Sequence, residues 1–97
     1  MDTTITWEQY DGAIDTLRDE VLPLTLHDIV TDLEEAMTRY GINEIPARYE
    51  AVQAVRKGIR KGGRHFLDFL GGGLTGEIYS NRKEFFVTLV EFLKKED

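Results

Sequence analysis

No cysteine occurs in this chain, which excludes disulfide staples, thiolate metal sites and cysteine nucleophiles together. A packed core must therefore hold the fold unaided. Long apolar runs are missing too. The longest, Phe85 to Leu93, is interrupted by Thr88 and Glu91 and could not span a bilayer. The opening "MDTTITWEQ" has acids where a signal peptide needs positive charge ahead of an apolar block, so a cytoplasmic protein is expected. Ser80 is the only serine. His27 and His65 are the only histidines, and neither has a histidine at ligand spacing. Asp28, Asp32 and Glu35 follow one another at i, i+4 and i+7, but a calcium loop takes its oxygens from a tight turn rather than from steps along a helix. No constellation supports catalysis. The chain is expected not to be an enzyme and to need no metal or cofactor.

What is present suits a folded globule. The 97 residues are 41% apolar and include ten aromatics, enough for one core in a single domain over 1–97. No repeat or low-complexity segment interrupts them. Trp7, Tyr10, Ile14, Leu17, Val21 and Leu24 recur at alternating steps of three and four, one face of a first helix. Thr6 and Gln9 form its capping box, and Pro23 ends it near Val21. Thr25 opens a second helix, whose apolar arc holds Leu26, Ile29, Val30, Leu33, Ala36, Met37 and Tyr40 before Gly41 stops it. Pro46 suits the first turn of a third helix, in which Tyr49, Val52, Val55, Ile59, Phe66 and Leu70 keep the period. Gly62 and Gly63 favour a break or kink in it over an uninterrupted helix to Leu70, because each mid-helix glycine costs roughly 1 kcal/mol.

"EFFVTLVEF" has high β-propensity, but a strand there would need burial on both faces with no other strand to pair with. Read as a helix, Phe85, Phe86, Leu89, Val90, Phe92 and Leu93 share one broad face, with Asn81 as cap and Lys94 and Lys95 at the C-terminal end. The helix reading is preferred. The expected fold class is all-α, a small bundle of three to four amphipathic helices.

"FLGGGLTGE" fits the letters of a dinucleotide fingerprint through Gly71, Gly73 and Gly76. That fingerprint joins a strand to a helix inside a βαβ unit, and the residues after Gly76 hold at most one helix. Glu77 and Ile78 stand where a P-loop needs lysine and serine, and a carboxylate there would repel phosphate. The stretch 71–76 is read as a connector.

Charge is the most informative feature. Residues 1–45 carry eleven acids against Arg18 and Arg39, whereas residues 46–97 carry seven acids and ten bases. On the first helix Glu8, Asp11, Asp15 and Asp19 form one stripe, and the second adds Asp28, Asp32 and Glu35. Like charges this close oppose folding, so the stripe points to a partner that neutralises it. In charge and size the chain has the profile of DNA-mimicking inhibitors, immunity proteins and antitoxins. The expected function is a binding protein that occludes or regulates a basic partner, such as a nucleic-acid-binding protein or a toxin, with no membrane role and as a monomer or homodimer. The alternative uses Arg56, Lys57, Arg60, Lys61 and Arg64, which share one side of the third helix if it continues, to hold phosphates of nucleic acid. A net charge of −6 and the absence of a flanking aromatic platform weigh against it.

Overall fold

The computed structural model describes residues 5–26, 28–75 and 82–95. They form four helices: α1 (Trp7–Val21), α2 (Ile29–Arg39), α3 (Ile45–Thr75) and α4 (Arg82–Lys95), with no strand among the described residues. The fold is an all-α bundle.

Local signals in the sequence explain most of the boundaries. At the start of α1 the Gln9 N–H donates to the Thr6 hydroxyl at 3.2 Å, and the Thr6 N–H donates to the Gln9 side-chain oxygen at 2.8 Å. This is the expected capping box, and α1 ends at Val21, with Leu22 as its C-cap immediately before Pro23. The start of α2 differs from expectation. Asp28, not Thr25, is its cap, and the carboxylate accepts from the Thr31 N–H at 3.1 Å and from the Thr31 hydroxyl at 2.6 Å. An ionised cap also opposes the positive helix end, which favours Asp28 over the neutral hydroxyl. Leu26 therefore lies before the helix, off its apolar arc and fully exposed. At the other end Gly41 takes φ +80°, with Ile42 N–H donating to Met37 C=O at 2.8 Å and Gly41 N–H to Thr38 C=O at 3.2 Å. Those two bonds are a Schellman ending.

In α3 the expected kink falls at Gly63, whose backbone (φ 55°, ψ −137°) is non-helical. It divides α3 into arms 45–62 and 64–75. The Phe66 ring turns back over the first arm, where a Cβ on Gly58 would intrude on it and one on Gly62 would meet the Phe66 Cβ. The connector expected over 71–76 is corrected for its described part. Residues 71–75 complete the second arm as helix, while Gly76 lies outside the described residues, as do His27, Glu77, Ile78, Ser80 and Asn81. The cause is packing between helices. A Cβ on Gly73 would overlap the Phe85 ring, which itself stands edge-on to Phe69 at 5.3 Å. This glycine lets α3 and α4 approach, and neither it nor Gly71 has positive φ.

Gly71 and Gly73 should consequently respond to alanine with opposite signs. A Cβ on Gly71 meets only the Ile29 methyl at an ordinary 3.5 Å. Gly71→Ala is expected to raise the unfolding free energy by roughly 0.5–1 kcal/mol through helix propensity. Gly73→Ala should lower it by roughly 1–2 kcal/mol, because displacing a buried ring outweighs propensity. Urea midpoints of the two variants, compared with wild type, check the signs.

The last segment is a helix. Phe86 is fully buried, and Phe85 and Leu93 nearly so. Phe92, expected on the same face, is 59% exposed and so lies at its margin. Together with Leu17, Leu33, Met37, Val52 and Leu70, Phe85 and Phe86 form one continuous core.

Candidate functional site

The inner face of α1 (Tyr10, Ala13, Ile14, Leu17 and Val21) is buried, which turns the remaining positions outward. Glu8, Asp11, Asp15 and Asp19 are all exposed, and none makes an ion pair or side-chain hydrogen bond among the described residues. At helical spacing they occupy an arc of about 80° and a length of roughly 16 Å.

A polar cluster fixes the angle at which α1 presents this face. The Tyr10 hydroxyl donates to Glu34 of α2 at 3.2 Å and accepts from the Arg48 guanidinium of α3 at 3.4 Å. Burial raises the Tyr10 phenol above its ordinary pKa, with the nearby Arg48 opposing the shift. Arg48 also donates to the Thr38 hydroxyl at 2.6 Å, and its guanidinium lies 6.0 Å from the centre of the Tyr10 ring. Its Nε is buried with no hydrogen-bond partner among the described residues. Arg18, the lone cation of α1, is drawn to α2, where it meets Asp28 at 3.3 Å and Glu34 at 3.4 Å. The outer stripe is left without it.

The acids of α2 contribute less to this surface than their number implies. Asp28 caps the helix and pairs with Arg18. Asp32 is half-buried and interacts within the fold, and Glu35 is exposed.

Of the basic block, Arg56, Lys57, Arg60 and Lys61 stay on the first arm of α3, and the Gly63 kink separates Arg64 from them. Arg56 is half-buried, and its Nε and Nη2 donate to the two Glu20 carboxylate oxygens at 2.9 and 3.3 Å, while Nη1 donates to Gln53 at 2.9 Å. Lys57 and Lys61 also interact within the fold. Arg60 is exposed, but Arg64 stands beyond the Gly63 kink. A single face of five cations required an uninterrupted helix, and Gly63 removes that premise. Spacing along the chain gave no sign of the Glu20–Arg56 pair, whose members are 36 residues apart.

Three apolar side chains next to the α1 face are exposed, Trp7 59%, Leu22 70% and Leu26 fully, which corrects the apolar-face positions expected for Trp7 and Leu26. Leu22 to Leu26, with Arg64, line an open depression of about 410 Å³. The signal for it was Pro23, which ends α1 and leaves its neighbouring leucines without a helix face to join.

His65 is exposed. No group of three or more metal-ligating side chains occurs among the described residues, and no helix there is long and apolar enough to cross a membrane. No protein-family model, curated protein or solved structure matches the chain.

Proposed function

We propose that this chain is a small non-enzymatic binding protein whose α1 carboxylate face engages a basic partner protein and occludes or regulates it. One observation carries the reading. Four carboxylates stand in file on the outside of one helix, while the only cation of that helix is spent on α2. Like charges at helical spacing oppose folding by a few tenths of a kcal/mol per pair, roughly, and a cationic partner turns that repulsion into attraction. A basic nucleic-acid-binding surface or a cationic toxin has the complementary charge.

The test uses two variants, Asp11→Asn/Asp15→Asn/Asp19→Asn and Arg60→Gln/Arg64→Gln. Arg56 is kept because its pair with Glu20 ties α3 to α1. A partner captured by wild type should associate with the asparagine variant on the order of tenfold more slowly at low salt. The deficit should shrink as ionic strength shortens the screening length to about 8 Å and below. The glutamine variant should bind as wild type does. Unchanged association by the asparagine variant would sink the proposal. Loss of DNA or RNA binding in the glutamine variant, with a flatter salt dependence, would instead favour the phosphate-binding alternative.

A further inference from the structure

We propose that Leu22 and Leu26 are the apolar anchor of the α1 face. Its occupant is a cationic segment of a partner protein, bearing one large apolar side chain about a helical turn beyond its last base. This rests on the acidic-face reading and gives that partner a shape.

Position is the first support. Leu22 follows Asp19, Asp15 and Asp11 by three, seven and eleven residues, and its backbone is still helical (φ −50°, ψ −45°). The file of carboxylates therefore runs straight into an exposed leucine, at about 1.5 Å of rise per residue. Leu26, fully exposed, stands across the turn, and the two line the same depression with Pro23 and Leu24. Scattered apolar side chains are ordinary on a surface, but a concave group of them beside a charged rim is the usual form of an interface anchor.

Charge selects the occupant. A second copy docked through this face would bring four more carboxylates against the first four. Nucleic acid and anionic lipid are repelled for the same reason. A cationic segment satisfies the stripe, and its apolar side chain can then reach the leucines. Among the described residues Arg64 is the one charged side chain lining the depression, where the occupant places its apolar side chain and not its bases.

Two synthetic helical peptides provide the probe. Both carry lysines at i, i+4, i+8 and i+11. One has tryptophan three residues beyond the last lysine, and the other has serine there. Fluorescence anisotropy would measure binding to wild type, to Leu22→Ser/Leu26→Ser and to the asparagine variant. Both leucines are exposed, so the serine variant should keep the wild-type melting curve. Wild type should bind the tryptophan peptide about tenfold more tightly than the serine peptide, as expected for burying one large apolar side chain. Leu22→Ser/Leu26→Ser should erase that difference without altering affinity for the serine peptide, and the asparagine variant should weaken both. Equal affinity of wild type for the two peptides would overturn the anchor while leaving the charged face intact. Failure of both peptides to bind would overturn both readings. A wild-type dimer in sedimentation, split by Leu22→Ser/Leu26→Ser, would assign the leucines to self-association and overturn the proposal too.

Discussion

Phe86→Ala should lower the unfolding free energy by about 3–5 kcal/mol, the range for emptying a fully buried phenylalanine site. Phe86 has no exposed surface and lies 6.2 Å from the Tyr40 ring, so nothing small can relax into the vacated volume without moving α4. Domains of this size are stable by about 5–15 kcal/mol in total, so the variant should unfold at a far lower urea concentration. Phe92→Ala is the control. Its ring is 59% exposed, and its removal should change stability by less than about 1 kcal/mol. The contrast discriminates the two readings of "EFFVTLVEF". A strand places Phe86 and Phe92 on the same side, so both substitutions would then cost alike. Similar losses in the two variants would count against α4.

Gly63→Ala should cost about 3 kcal/mol, the upper end for a residue held in a backbone region closed to side chains. At φ 55° and ψ −137° a Cβ has no unstrained position, although the space around it is open. The strain is therefore in the backbone itself. Gly62→Ala makes a useful comparison, because its Cβ would meet the Phe66 side chain instead. If strain is the cause, Gly63→Ser should be destabilised as much as Gly63→Ala. The alternative open to either variant is a straightened α3, which would lift Phe66 and residues 64–75 from their neighbours. Near-UV circular dichroism would register that rearrangement, and an unchanged urea midpoint for Gly63→Ala would refute the assignment of strain.

Much of this fold was legible in the sequence because helices signal locally. Thr6 and Gln9, Pro23, Gly41 and the Gly62–Gly63 pair act within a few residues of themselves, and each acts where expected. The failures involve groups distant in sequence. Gly73 reads as a chain reversal until Phe85 is seen beside it, and only tertiary packing supplies that neighbour. Arg56 belongs by spacing to the alternative phosphate-binding set, and only the fold shows Glu20 reaching it across the bundle. The start of α2 differs for a local reason: Asp28 is as competent a cap as Thr25 and adds a carboxylate facing the positive helix end. The outward direction of the α1 stripe followed from periodicity. The exposed leucines at its end did not, because they lie where periodicity stops.

The position of Trp7 has a spectroscopic consequence. It is the only tryptophan of the chain, more than half exposed and edge-on to Tyr10 at 5.9 Å, in the first turn of the helix that carries the carboxylates. Denaturation moves this indole from one wet setting to another, so its emission colour is a poor gauge of unfolding. A partner seated along α1 would exclude water from the same ring. The chromophore is thus better suited to reporting association than denaturation, without any added label.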